Sequence, residues 1–187
     1  MINRPMYLNL WQELSKEKQM IFLSGPRQVG KTTLAKEIAK GFKNNIYFNW
    51  DILGHKKLLI KEPAFFENIN RQDESMPLVI LDEIHKYKRW KNYLKGIYDQ
   101  FSEDYKFLVS GSGRLDLYQK GGDSLAGRYF QFHLFPFTIA ELSGKRRNFD
   151  EFVKNPISGF DINDKDRTQE IWQTLFNIGG FPEPFTK

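Results

Sequence analysis

Met20-Ile21-Phe22-Leu23-Ser24-Gly25-Pro26-Arg27-Gln28-Val29-Gly30-Lys31-Thr32 is the stretch from which the rest of the chain can be read. Its apolar start, ended by a glycine, reads as a buried strand. Residues 31–42 follow with Leu34, Ile38 and Phe42 on one helical face. Between strand and helix, residues 25–32 satisfy G-x-x-x-x-G-K-[ST] at every fixed position, in the context that pattern requires. Glycines let a backbone curl until successive N–H groups point inward at a phosphate. The following helix adds the positive end of its dipole. Lys31 is spaced to reach β- and γ-phosphates, and the Thr32 hydroxyl to ligate Mg²⁺. A nucleotide phosphate site is implied.

The same alternation continues outward. Residues 7–18 read as an opening amphipathic helix and Ile46-Tyr47-Phe48-Asn49-Trp50 as a strand closing at Asp51. A helix is expected over 64–71, just after Pro63. Leu78-Val79-Ile80-Leu81 is a third buried strand, closed by Asp82-Glu83. A helix over 90–101 leads to a strand at 107–109 that runs into Ser110-Gly111-Ser112-Gly113. Residues 129–134 read as a fifth strand, and a short helix reaches Leu142. Strands alternating with helices predict an α/β fold, a three-layer α/β/α sandwich around a parallel sheet. Right-handed crossovers put every carboxyl end on one edge, where such sheets bind ligands. Residues 25–32, Asp51, Asp82-Glu83 and 110–113 fall there. By domain, 1–19 leads into a core of 20–143, and 144–166 is a polar, turn-rich connection. Residues 167–187 are a partial helical lid or the start of a further region.

Asp82, at the end of a strand, is suited to hold Mg²⁺ directly or through water. Glu83 beside it is suited to polarise an attacking water. An acidic helix-capping pair would leave the same letters. Ser110 and Ser112 are candidates to hydrogen-bond that water or the γ-phosphate, or they make a simple turn. Arg128, just before the fifth strand, suits a developing phosphoryl anion. A structural ion pair is its plain alternative, and Arg114 is a weaker candidate of the same kind. Lys86, Lys88, Arg89, Lys91 and Lys95 alternate with Tyr87, Trp90 and Tyr93. That pattern fits a nucleic-acid track with stacking rings. It equally fits a solvated helix face with its aromatics turned inward. His85 is expected to be a loop or packing residue.

The chain has 187 residues, one domain or a domain plus a fragment, and no cysteine. A disulfide framework, a Cys-ligated zinc and a thiol nucleophile are thereby excluded. Its three histidines, His55, His85 and His133, lack metal-ligand spacing. The 28 basic and 23 acidic residues leave a net charge of +5, a mild tilt towards polyanions. No apolar run approaches the roughly 18 residues of a membrane span, and no signal peptide is legible, so the cytoplasm is the expected compartment.

Five blocks occur together: Gly-Pro-Arg-Gln-Val-Gly-Lys-Thr-Thr (25–33), Leu-Asp-Glu-Ile-His-Lys (81–86), Ser-Gly-Ser (110–112), Leu-Ala-Gly-Arg (125–128) and Phe-Pro-Phe-Thr (135–138). In that order they resemble the predicted AAA+ ATPase family of bacteria and archaea, akin to archaeal ATPases and STAND NTPases, over about residues 4–184. The resemblance implies a P-loop NTPase core of AAA+ type, sheet order 5-1-4-3-2. It implies ATP or ADP with Mg²⁺ as ligands, and hydrolysis of ATP. Gly25, Pro26, Arg27, Gln28, Val29, Gly30, Lys31, Thr32 and Thr33 would bind the nucleotide, with Thr32 and Asp82 on the metal and Lys31 and Glu83 catalytic. Ser112 or Ser110 would be the first sensor. Arg128 would be a finger into a neighbouring subunit of a homo-oligomer. Asp51 matches an acidic position of the family without a defined role.

Family members run to about twice this length and carry a carboxy-terminal winged-helix and nuclease-like region. The chain stops where that region would begin, so a shortened product is expected. The leading expectation is an ATPase domain used as motor or switch. The alternatives are a nucleotide-dependent switch, or a DNA-associated module, with negligible turnover in isolation.

Overall fold

In a computed structural model of the chain, residues 4–112, 125–144 and 165–185 are described. The strands β1 (Met20–Ser24), β2 (Asn45–Asn49), β3 (Leu78–Asp82), β4 (Lys106–Ser110) and β5 (Tyr129–His133) form one parallel sheet. Their order is β2-β3-β4-β1-β5, which is 5-1-4-3-2 read from the other edge. Every residue of β1 and β3 is buried, as central strands covered on both faces require.

The pleat sends alternate residues to two cores. On one face Met20, Phe22, Val79, Leu81, Phe107 and Val109 meet α4 (Trp90–Phe101) through Trp90, Leu94, Ile97 and Phe101. On the other, Ile21, Leu23, Ile80 and Leu108 meet Tyr7 and Trp11 of α1 (Pro5–Glu17). Leu34, Ala35 and Ile38 of α2 (Lys31–Ala39) close the same face. Each fully buried Leu, Ile or Phe contributes about 1.5–3 kcal/mol relative to exposure. The helices are thereby fixed on both sides of the sheet, as the three-layer expectation had it.

The helix expected over 64–71 is a single 3₁₀ turn, Phe65–Asn68, and the helix of this crossover lies earlier, α3 (Leu53–Lys61). Pro63 explains the difference, because it disfavours helical geometry at Glu62 and so ends α3 there. Only Leu59 of α3 is buried, while Leu53, Leu58 and Ile60 are exposed. No apolar stripe therefore marks it in the sequence.

The contacts divide the chain into two compact units, Tyr7–Leu134, which holds the sheet, and Met1–Met6 with Phe135–Lys187. The second contains α5 (Ile139–Leu142) and α6 (Lys165–Ile178). Thr138 caps α5 by accepting from Glu141 N at 3.3 Å. The Glu141 carboxylate in turn takes both Arg4 Nε at 2.8 Å and Nη2 at 2.7 Å. No described helix is long and apolar enough to cross a membrane.

Candidate phosphate and metal site

Register sets the site. Asn49, Asp82, Ser110 and Leu23 lie opposite one another across β2, β3, β4 and β1, at the carboxyl edge of the sheet. Tyr47 and Ile80 pair two residues earlier in the strands, on the same face as α2. The sheet thus ends in a polar row beside the loop that follows β1.

That loop is bent by positive-φ backbone at Gly25 (146°), Gln28 (63°) and Gly30 (97°). A Cβ on Gly25 would stand 2.3 Å from the Leu134 carbonyl oxygen, so glycine is required there on space as well as on φ. Val29 is fully buried under the loop, while Pro26, Arg27 and Gln28 stay exposed. Gly30 precedes the first turn of α2, which Leu34 N to Gly30 O closes at 2.9 Å. Lys31 is buried, and its Nζ donates to the carbonyls of Gly25 at 3.0 Å and Pro26 at 2.6 Å. Burial lowers its pKa from the usual lysine range, although Glu83 and Asp82 pull the other way. The ammonium is thus desolvated and held by neutral carbonyls, a setting that an anionic phosphate would improve.

Asp82 is the hub. Its Oδ2 accepts from Thr32 Oγ1 at 2.8 Å and from the Tyr47 hydroxyl at 2.6 Å, and its Oδ1 accepts from Ser110 Oγ. Asn49 Nδ2 donates to the Tyr47 oxygen at 3.2 Å. Burial, followed by the bond to Asp82 and its charge, pushes the Tyr47 phenol up to about 12. Thr32 and Asp82 present hard oxygens side by side, the donor chemistry Mg²⁺ takes. Among the described residues no group of three or more His, Cys, Asp or Glu could hold a metal. A metal here would therefore complete its shell with water and phosphate oxygens, as Mg²⁺ commonly does.

Glu83 follows in left-handed backbone, φ 56°, with its N–H donating to Ser110 O at 2.8 Å. Its Oε2 lies 3.0 Å from Lys86 Nζ and 3.6 Å from His85 Nε2. Lys86 Nζ also reaches Asp51 Oδ2 at 2.6 Å. Burial works against the Lys86 charge, but the bonds to Asp51 and Glu83 raise its pKa overall. The His85 side chain is only 3 % exposed and lies 3.4 Å from Ser112 Oγ through Nε2. Both serines are thus at this edge, Ser110 on Asp82 and Ser112 on His85.

A family model described as "AAA domain" matches residues 17–143, more than half of the chain. The chain belongs to that family. The fold of this AAA domain is similar to that of the Walker-type ATPase PABY2304 of Pyrococcus abyssi, with a TM-score of 0.56 at 14% identity, covering 97% of this chain and 65% of that one. The Orc1 protein of Aeropyrum pernix, solved in complex with DNA, gives 0.52 at 14% identity, covering 77% of this chain and 48% of that one. C. elegans PCH-2 gives 0.50 at 16% identity, covering 94% and 57%. The chain therefore spans roughly half to two thirds of the length of these structures. No curated protein matches its sequence.

Other sequence candidates of the AAA domain lie elsewhere. Arg128 precedes β5, and Tyr129 pairs with Met20, so the arginine is at the amino edge of the sheet. At about 3.3 Å per residue the length of a strand, roughly 15 Å, separates it from this chain's own phosphate loop. It forms a two-pronged pair with Asp99 of α4, Nε to Oδ1 at 2.6 Å and Nη2 to Oδ2 at 3.1 Å. In the 86–95 segment Trp90 is buried, and Tyr87 and Tyr93 pack against the core. Those rings do not face outward for stacking on bases, and Lys86 is directed to Asp51 and Glu83. Lys88, Arg89 and Lys95 remain exposed. Gly113, Arg114 and Ser124 lie outside the described residues.

Sequence reasoning missed Tyr47 and the link from Lys86 to Asp51. Tyr47 is two residues before Asn49 and sits beside β3 only because β2 does. Nothing in its own neighbourhood marks it.

Proposed function

We propose that this AAA domain binds Mg-ATP at residues 25–33 and hydrolyses it to ADP and phosphate, serving as a motor or switch. The observation that carries the reading is the 2.8 Å bond from Thr32 Oγ1 to Asp82 Oδ2, which joins the end of the phosphate loop to the end of β3. Loop N–H groups and Lys31 hold the phosphates, Lys31 exchanging the Gly25 and Pro26 carbonyls for phosphate oxygens. Thr32 and Asp82 hold Mg²⁺, with Tyr47 and Ser110 fixing the carboxylate. The metal, when bound, neutralises charge that develops between the β- and γ-phosphates. Glu83 orients a water and takes its proton. Ser112, rather than Ser110 whose hydroxyl is committed to Asp82, senses the γ-phosphate end. Arg128 acts, in this account, on the nucleotide of a neighbouring copy, since its own loop is a strand length away. The preference for adenine rests on the family.

Thr32→Ala tests the carrying observation: nucleotide should still bind without metal, while the Mg²⁺ needed for half-maximal turnover rises at least tenfold. Unchanged Mg²⁺ dependence would contradict the site. A second reading, DNA association, has behind it exposed Lys88, Arg89 and Lys95 and the DNA-bound Aeropyrum neighbour. It predicts affinity that falls steeply with salt.

A further inference from the structure

We infer that Lys86, itself held by Asp51, is a positioning residue for Glu83: it anchors one carboxylate oxygen so that the other is aimed at the attacking water. The inference rests on Glu83 being the group that orients that water. Both contacts of the Glu83 carboxylate among the described residues, to Lys86 at 3.0 Å and His85 at 3.6 Å, fall on Oε2. Oε1 is left to accept from a water. A nucleophile's base that is oriented by a third group is a recurrent arrangement in catalysis.

The local backbone supports the role. The 3₁₀ turn Ile84–Lys86 has Lys86 N bonded to Glu83 O at 3.1 Å. That bond folds the chain back on Glu83, and the Lys86 ammonium reaches the Glu83 carboxylate at 3.0 Å. Glu83 is a non-glycine residue in left-handed backbone, a conformation that persists where surroundings over-determine it. A lysine alone is a poor anchor because its long stem has many rotamers. Asp51 supplies the second point of attachment at 2.6 Å, from the turn after β2. This gives Asp51 its role: it ties the end of the neighbouring strand to the residue beside the metal site.

The three side chains are partly exposed, 36 % for Lys86, 53 % for Asp51 and 22 % for Glu83. Exposed pairs of this kind contribute little to stability. Removing Lys86 should therefore leave the fold and its melting temperature unchanged, so that a lost rate reports on the site.

Steady-state ATP hydrolysis would be measured for the wild type, Glu83→Gln, Lys86→Met, Lys86→Arg, Asp51→Asn and the Lys86→Met/Asp51→Asn double variant. Misplacing a reacting group lowers rates by up to about 100-fold. Lys86→Met should accordingly lower kcat by about 10- to 100-fold with KM within about twofold. Lys86→Arg should recover most of the rate. Asp51→Asn should cost less, and the double variant should be no slower than Lys86→Met alone. The inference is overturned if Lys86→Met matches or exceeds the wild type while Glu83→Gln is inactive. It is equally overturned if the loss appears in KM alone, or if Lys86→Arg is as slow as Lys86→Met. Full turnover in Glu83→Gln would instead remove the role given to Glu83 itself.

Discussion

Gly25 and Gln28 occupy the same loop with positive φ but for opposite reasons. At Gly25 an added methyl meets the Leu134 carbonyl oxygen at 2.3 Å, so the strand-to-loop junction must move before any side chain fits. At Gln28 the side chain is exposed and only the backbone preference is violated. Gly25→Ala should lower stability by about 2 kcal/mol or more and abolish nucleotide binding. Gln28→Gly should be close to neutral, because relief of about 1–2 kcal/mol of left-handed strain is offset by glycine's greater entropy loss. Thermal melts and nucleotide titrations of the two variants check this pair of outcomes. The glycine pattern was legible in sequence because the fixed positions of the motif are themselves backbone requirements.

Among elements, β3 matters most, since it delivers Asp82, and its entry is fixed by one buried amide. Asn44 Nδ2 donates to Ser75 O at 2.8 Å and Asp73 O at 3.0 Å, and its Oδ1 accepts from Gln72 N at 2.6 Å. Its own carbonyl accepts from Leu78 N at 2.9 Å, the first residue of the strand. Asn44→Ala leaves buried partners unmade and should cost about 1–3 kcal/mol, seen as an earlier denaturant midpoint with m unchanged. Asp73, in the same turn, has its pKa held well below the usual carboxylate range, by the Ser75 hydroxyl first and by Lys43 next. A depressed carboxylate pKa stabilises the fold in full above about pH 4, and that contribution is lost as pH falls further. Asp73→Asn should therefore flatten the acid limb of stability against pH. Elements with a marked apolar pattern were legible: β1 as a continuous apolar run buried on both faces, and α4 by apolar residues at helical spacing. α3 was not, because a helix that buries a single residue has no periodicity to detect.

At the scale of the molecule, the sheet order brings residues far apart in sequence to one edge. Thr32, Tyr47, Asp82 and Ser110 meet on one carboxylate because β2, β3 and β4 are neighbours. The acidic pair and the loop could be read as a site from their own spacing. Tyr47 and the path from Asp51 through Lys86 to Glu83 could not, since each needs the strand order first. Arg128 shows the converse. Its charge suggested a partner in phosphate, and the folded chain gives it Asp99 at the opposite edge. If it serves a neighbouring copy, specific activity should rise with protein concentration in the wild type. In Arg128→Ala it should stay low at every concentration. Parallel curves for both would leave Arg128 as a structural pair alone.

The central claim is that the end of β3 turns a nucleotide site into a hydrolytic one. It is tested most directly by phosphate release from Mg-ATP for the wild type and Glu83→Gln, with ATP binding measured on the same samples. The account predicts continuing release by the wild type, and at least a 100-fold slower rate with binding retained in Glu83→Gln. Equal rates in the two proteins, or ATP bound by the wild type with no phosphate released, would contradict it.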